Sequence, residues 1–178
     1  MHVALRVHRL TKLYRAGAGG CRATVVALSD VSFEIAGGEA VAIVGAPGAG
    51  KSTLLRCAAG LLVADGGSVH APSARYIHSD TIELRRAMAG AGVRAPGVWL
   101  IDDCLRGIGA SDYARLERWV ERETRRGAAV LVASREANGV VPLVNRQIEL
   151  HRGRVRATVA ARGLDAAAGA ARVAEQAR

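Results

Sequence analysis

A glycine-rich stretch, GAPGAGKST over residues 45–53, constrains this chain more than any other feature. It fits the pattern G-x-x-x-x-G-K-[ST], with Gly45, Gly50, Lys51 and Ser52 at the fixed places. A short apolar run, AVAIVG, leads into the stretch, and KSTLLRCAAGLL follows with helical spacing. The order of buried strand, glycine turn and helix predicts a loop that binds phosphate through backbone amides.

The composition of the chain limits which classes of binding partner are expected. The net charge of +9 comes from 23 arginines and only two lysines, Lys12 and Lys51, against 16 acidic residues. This charge could favour nucleic acid, an acidic protein or anionic lipid. The chain has only six aromatic residues and no zinc-ligand spacing, so nucleic acid is not the expected partner. The cysteines Cys21, Cys57 and Cys104 are expected to be reduced and buried.

The N-terminal sequence lacks the apolar segment of a signal peptide, and no run of about 18 apolar residues predicts a membrane span. We therefore expect a cytoplasmic protein.

Apolar periodicity predicts alternating strands and helices in one domain. The expected fold class is α/β: a P-loop NTPase core with a mostly parallel sheet flanked by helices, plus an N-terminal antiparallel β region. Residues 1–158 form this domain, and the alanine-rich tail, 159–178, is expected to be helical. The predicted strands are 2–10, 24–35, 40–45, 74–79, 97–101 and 128–134; the helices are 51–62, 79–92 and 111–127; residues 65–69 form a turn and 146–159 a hairpin.

Each position of the glycine loop has an expected task. The Lys51 ammonium would contact the β- and γ-phosphates, and the Ser52 hydroxyl would ligate Mg²⁺. Thr53 would bond a phosphate nearer the sugar. Glycines keep side chains out of the way, so that the amides reach the phosphate oxygens. The remaining loop positions that would line the phosphates are Ala46, Pro47, Gly48 and Ala49.

Two carboxylates end the strand predicted at 97–101. Asp102 is placed to orient a water on the magnesium ion, the usual second half of a phosphate-loop site. Asp103 would either polarise an attacking water or cap the turn after the strand. Both interpretations of Asp103 stay open on the sequence.

The segment ALSDVSFEIAGGEAVAIVGAPGAGKSTLLRCAAGLLVADGGSV, residues 27–69, resembles the ATP-binding subunit of ABC transporters. ELRRAM, GVWLIDD, VLVAS and IELHRGRV extend the resemblance over about residues 2–158. It implies ATP and Mg²⁺ as cofactors, and Tyr14 in LTKLY as the aromatic that stacks on adenine. It also implies a transmembrane permease or an intact ABC ATPase subunit as partner, a dimer, and a place on the inner face of the membrane.

The chain departs from this family between its two nucleotide motifs. Lys51 and Asp102 are only 51 positions apart, which leaves no room for the family's helical subdomain. The glutamine loop and the LSGGQ signature of that subdomain are absent, and Ser79 stands about where the glutamine is expected. In the family two subunits sandwich each ATP and the signature of one completes the site of the other. The resemblance therefore implies that this chain cannot complete a partner's site.

Three more positions differ from the family. Asp103 stands at the catalytic glutamate position, Arg135 at the switch histidine position, and Gly109 where an aspartate is usual. Arg135 would either add positive charge at the phosphates or be an ordinary surface arginine. Because hydrolysis depends on positioned groups that stabilise a charged transition state, we expect an ABC-type ATP hydrolase with slow turnover unless a partner completes the site. The alternatives are a nucleotide-sensing regulatory module and a P-loop small-molecule kinase.

Overall fold

The computed structural model of the chain describes residues 2–16, 23–78, 81–90, 97–103, 105, 109–135 and 137–161. These residues form nine strands, three α-helices and a 3₁₀ helix at Asn138–Leu143. The strands are β1 (Val3–Ala16), β2 (Ala23–Ala36), β3 (Ala40–Val44), β4 (Gly66–His70), β5 (Ala74–His78), β6 (Val98–Asp102), β7 (Ala129–Ser134), β8 (Arg146–His151) and β9 (Arg154–Ala160); the α-helices are α1 (Lys51–Ala58), α2 (Thr81–Met88) and α3 (Ala110–Arg125).

The strands pair into two sheets. The larger has the order β5-β6-β7-β3-β8-β9, in which every pairing is parallel except that of β8 with β9. The smaller is antiparallel, with the order β2-β1-β4. This arrangement confirms the predicted α/β class with a mostly parallel sheet and an antiparallel region from the N-terminus. The carboxyl ends of β3, β6 and β7 lie at one edge, where open α/β sheets bind ligands.

The central strands β3, β6 and β7 of the larger sheet are buried on both faces, which explains their continuous apolar runs. Along β3, Val41 and Ile43 join a core with Leu54 of α1, and with residues of the smaller sheet. The intervening Ala42 joins a second core with Leu116 of α3. Because successive side chains of a strand point to opposite faces, one five-residue strand supports both cores.

The prediction of a turn at residues 65–69 is partly wrong. Residues from Gly66 onward form β4, an edge strand antiparallel to β1 with Val7 opposite Val69. Glycine favours a turn in the sequence, but in the structure it allows the backbones of β4 and β1 to approach closely. Gly67 has φ +78°, and a Cβ there would collide with the backbone of Arg9.

Helix boundaries also differ from the pattern. Helix α3 begins at Ala110, one residue before the predicted start, with Gly109 as its N-cap and no side-chain capping bond. Helix α1 ends at Ala58, earlier than expected. The first two residues of the helix predicted at 79–92 and the tail from residue 162 lie outside the described residues, as do Cys21 and Cys104. Cys57 is buried, as expected.

A buried ion pair joins the start of β3 to the start of β8. Arg146 Nε lies 2.5 Å from Glu39 Oε1, and both side chains are 7% exposed. Arg146 also donates to the backbone carbonyl of Glu34 in β2. One side chain thus links the two sheets, opposite the edge where the glycine loop lies.

Candidate functional site

The glycine loop connects the carboxyl end of β3 to the first turn of α1. Gly50, immediately before the helix, has φ +104°, and a Cβ there would collide with the carbonyl oxygen of Ala27. A Cβ on Gly45 would collide with the carbonyl oxygen of Leu150. Neighbouring backbone therefore requires glycine at both ends of the loop. Between them Ala46, Pro47 and Gly48 are exposed, whereas Ala49 is buried.

The Lys51 side chain folds back over its own loop. Its Nζ donates to the carbonyl oxygens of Gly45 at 2.6 Å and Ala46 at 2.9 Å. Burial lowers the pKa of the Lys51 ammonium, and the positive charge of Arg135 lowers it further, against an opposing effect of Asp102 and Asp103. Two cations and two carboxylates thus lie together beside the loop.

Asp102, at the end of β6, reaches the glycine loop through Ser52. Ser52 Oγ donates to Asp102 Oδ1 at 3.1 Å, and the Asp102 residue is only 2% exposed. A hydroxyl and a carboxylate side by side form an all-oxygen donor set, the type that Mg²⁺ prefers. The structure thus brings together the two residues predicted to hold the metal.

Tyr76 is a member of this cluster that the sequence analysis missed. Its hydroxyl donates to Asp102 Oδ2 at 2.9 Å and lies 3.4 Å from Arg56 Nε. Burial raises the pKa of Tyr76. The parallel pairing of β5 with β6, which sets Tyr76 opposite Leu100, places the tyrosine there. No local motif signals it, because the partner lies 26 positions away.

Asp103 and Arg135 contact each other beside the loop. Arg135 NH2 lies 3.5 Å from Asp103 Oδ2, and Asp103 has φ +56°. The Asp103 amide donates to the carbonyl oxygen of Ala133 in β7. The sequence analysis left Arg135 open between a charge at the phosphates and an ordinary surface arginine. Its contact with Asp103 and its influence on the Lys51 pKa place Arg135 beside the glycine loop, and its role there stays a prediction.

Tyr14 approaches the loop from β1 of the smaller sheet. Its hydroxyl is 3.4 Å from Thr53 Oγ1, and either atom could be the donor. The residue is 40% exposed, and Lys12 Nζ lies 5.9 Å from its ring centroid. The ring is thus held near the glycine loop with part of its surface open.

The candidate residues therefore converge from four strands. In the larger sheet β7 lies between β3 and β6, so the loop, Arg135 and the aspartates follow three adjacent strands. Within the described ranges, no group of three His, Cys, Asp or Glu residues could hold a metal by itself. A magnesium ion here would need oxygens from a bound phosphate, which is how Mg²⁺ usually binds at nucleotide sites. Among the described helices, none is long and apolar enough to cross a membrane.

Comparisons with known proteins show similarity to ABC transporter ATP-binding proteins over part of the chain. A profile of the family described as ABC transporter matches residues 28–91. Phosphonates import ATP-binding protein PhnC 1 of Rhodopseudomonas palustris is 37% identical over 89 residues, which are 50% of this chain and 29% of that protein. Methionine import ATP-binding protein MetN of Desulfitobacterium hafniense is 35% identical over 89 residues, 50% of this chain and 25% of that protein. The chain thus matches less than a third of the length of either relative.

The fold resemblance extends further than the sequence match. A dimeric ATP-binding cassette solved in a post-hydrolysis state with ADP and Pi superposes with a TM-score of 0.71 at 16% identity. The superposition covers 90% of this chain and all of that one. Within the described residues between α1 and β6, only β4, β5 and α2 are present. By its sequence over residues 28–91 and by its fold, the chain is similar to the nucleotide-binding domains of ABC transporters.

Proposed function

We propose that this chain binds Mg-ATP at residues 45–53 and hydrolyses it slowly unless a partner completes the site. The observation that carries the proposal is the hydrogen bond from Ser52 to Asp102, which joins the glycine loop to the second carboxylate motif. A glycine loop alone could persist in a decayed site. A loop that retains its paired metal ligands favours use of the nucleotide.

The phosphates would bind over the loop at the start of α1. Backbone amides between Gly45 and Gly50 and the positive end of the helix dipole favour an anion at this point. Lys51 now donates to two loop carbonyls. A triphosphate would give the ammonium stronger, charge-assisted bonds. In return, phosphate oxygens would offset the burial and the Arg135 repulsion that lower the Lys51 pKa.

Ser52 and Asp102 would hold the magnesium ion, which neutralises charge on the β- and γ-phosphates. Tyr76 fixes the Asp102 carboxylate by occupying its second oxygen. Tyr14 would contact the base with its exposed ring face, and Thr53 would bond a phosphate nearer the sugar. The positions of these five side chains around the loop support these tasks.

Slow hydrolysis follows from the state of Asp103. A water-polarising carboxylate must be free to accept a proton or a hydrogen bond. Arg135 lies 3.5 Å from Asp103, so the guanidinium occupies a carboxylate oxygen that an attacking water would need. The same guanidinium could stabilise the γ-phosphate. The pair therefore favours nucleotide retention over turnover.

Partners and location are extensions of this proposal. The relatives named above are import ATP-binding proteins, and an ATP-binding protein of that type would act with a transmembrane permease at the inner face of the membrane. An intact ABC ATPase subunit could complete this chain's loop site with its own signature. Residues 1–158 would form the binding domain in such an assembly.

The test compares nucleotide binding and phosphate release in four proteins: wild type, Lys51→Ala, Asp102→Asn and Arg125→Ala. Calorimetry with ATP is run with Mg²⁺ and with a chelator. We expect Lys51→Ala to weaken ATP binding about tenfold or more in both conditions, because it removes a charged hydrogen-bond donor. Asp102→Asn should remove only the gain due to Mg²⁺. Arg125 pairs with Glu121 on the surface of α3 and is the matched control.

Binding without phosphate release in the wild type would favour the nucleotide-sensing module, which the Asp103–Arg135 contact also supports. Absence of saturable ATP binding in the wild type, or equal binding in Lys51→Ala, would reject the proposal.

A further inference from the structure

A second cavity lies between α2 and α3 and shares no residue with the glycine loop. It has a volume of about 310 Å³. Ligand pockets in proteins begin at roughly 300 Å³. Its lining combines guanidinium groups with apolar side chains, among them Arg85, Met88, Arg115, Arg118, Trp119 and Arg122.

The arginines converge because of helical spacing. Arg115, Arg118 and Arg122 stand at positions i, i+3 and i+7 of α3, so they share one face. Arg85 joins them from the last turn of α2. Four like charges around one cavity repel each other unless anions lie between them.

The carboxylates among the described residues neutralise only part of the positive charge of these arginines. Asp112 accepts from Arg85 NH2 at 2.6 Å and is 3.9 Å from Arg115 NH1. Arg122 lies 3.3 Å from the buried Glu123 and donates to the Met88 carbonyl oxygen. Arg118 has no hydrogen bond or ion pair within the described part of the chain. Two carboxylates therefore face four guanidinium groups.

One residue of the cavity lining also carries a buried polar atom that has no hydrogen-bond partner among the described residues. Trp119 is 1% exposed and packs edge-on against Trp99, with ring centroids 5.0 Å apart. Its Nε1 is buried and has no hydrogen-bond partner among the described residues. A buried donor without an acceptor is uncommon in native proteins. Together with Met88, the Trp119 side chain gives the cavity an apolar part next to its arginine rim, which suits a ligand that has both apolar and anionic parts.

We propose that this cavity binds a small phosphate-bearing molecule with an apolar portion. The guanidinium groups of Arg115 and Arg118 would take the phosphate, since arginine forks match phosphate oxygens in bidentate geometry. Met88 and the Trp119 ring would contact the apolar portion. The volume of about 310 Å³ favours a small molecule over a membrane surface or an acidic protein. This assignment is independent of ATP binding at the glycine loop.

The test uses the full chain with Lys51→Ala, so that phosphate binding at the glycine loop is suppressed. Phenyl phosphate is titrated by calorimetry and by tryptophan fluorescence, since Trp119 is one of only two tryptophans and contacts the other. We expect one saturable site with a fluorescence change. Inorganic phosphate should bind more weakly, because it lacks the apolar group.

Adding Arg118→Gln or Arg115→Gln should weaken phenyl phosphate binding about tenfold or more, the usual effect of removing a charged hydrogen bond. Arg125→Gln changes the same residue type on the same helix outside the cavity and should leave binding unchanged. Urea unfolding of each variant checks that the fold is intact. No saturable binding, or an equal effect of Arg125→Gln, would overturn the assignment. So would arginine-dependent binding to phosphatidylglycerol vesicles without phenyl phosphate binding.

Discussion

Tyr76 donates a hydrogen bond of 2.9 Å to Asp102, the carboxylate that closes the candidate metal site. Asp102 is 2% exposed, so water cannot replace a donor that is lost. Ser52 holds the other carboxylate oxygen. The tyrosine therefore both stabilises a buried charge and fixes its orientation toward the glycine loop.

Replacing Tyr76 with Phe should lower the free energy of unfolding by about 1–3 kcal/mol without ligand, because it leaves a buried carboxylate oxygen unpaired. Mg-ATP should add less stability to this variant than to the wild type, because the carboxylate that would hold the metal has lost the donor that orients it. Urea unfolding with and without Mg-ATP measures both effects. Tyr113→Phe is the control, because Tyr113 donates to the Gly139 carbonyl away from the loop. Equal ligand stabilisation of the wild type and both variants would contradict the role given to Tyr76.

The Arg135 guanidinium should make the site bind ATP more tightly relative to ADP. It lies at the aspartates beside the loop and repels the Lys51 ammonium, so an added negative charge should benefit from both cations. We expect Arg135→Gln to weaken ATP binding by about threefold to tenfold, the equivalent of roughly 1 kcal/mol for a half-exposed ion pair. ADP binding should change less. Calorimetry with both nucleotides measures the ratio.

Arg126→Gln serves as the control for Arg135→Gln, because Arg126 is exposed and pairs with Glu123 away from the loop. If Arg135→Gln shifts ATP and ADP affinity equally, the guanidinium does not contact the terminal phosphate.

Much of the fold is readable from local patterns. The strand–loop–helix unit around Gly50 and the buried strand before Asp102 can each be recognised from apolar runs and glycine spacing. The contact between Asp102 and Ser52 can be predicted because their two motifs normally lie side by side in a phosphate-loop site. Such features need only a short window of sequence.

The rest depends on contacts between distant positions. The contact of Tyr76 with Asp102 depends on the register of β5 against β6, which no single strand encodes. Residues from Gly66 to His70 become a strand because β1 offers an unpaired edge, an outcome that overrides the turn preference of glycine. The cavity rim at Arg85 likewise requires α2 to pack beside α3.

The ion pair between Glu39 and Arg146 should dominate the stability of the link between the two sheets. Arg146→Met leaves Glu39 buried without its cation, which costs about 3–5 kcal/mol in comparable cases. The measurement is urea unfolding at neutral pH. Arg6→Met removes an arginine whose pair with Glu34 is exposed and should cost less than about 1 kcal/mol. Comparable losses in the two variants would show that burial does not set the strength of the Arg146 pair.

Asp65 should make stability depend on acidic pH. Its Oδ2 accepts from the Leu13 amide and lies 2.8 Å from Lys12 Nζ, so it ties β1 to the turn before β4. The hydrogen bond from Leu13, and then that from Lys12, lower the pKa of Asp65. A carboxyl with a lowered folded-state pKa stabilises the fold above its unfolded pKa of about 3.9. That contribution is lost as the pH falls through the lower, folded-state value.

We therefore expect Asp65→Asn to lower the urea midpoint at pH 7 and to narrow its difference from the wild type as the pH falls below about 4. Unfolding curves at a series of pH values from neutral to about 3 test this window. Asp30→Asn controls for the loss of one negative charge, because Asp30 lies in β2 and contacts Arg9 at 3.5 Å on the surface. A constant difference between the wild type and Asp65→Asn across the whole series would mean that Asp65 acts as a polar anchor, since its charge would then contribute nothing to folding.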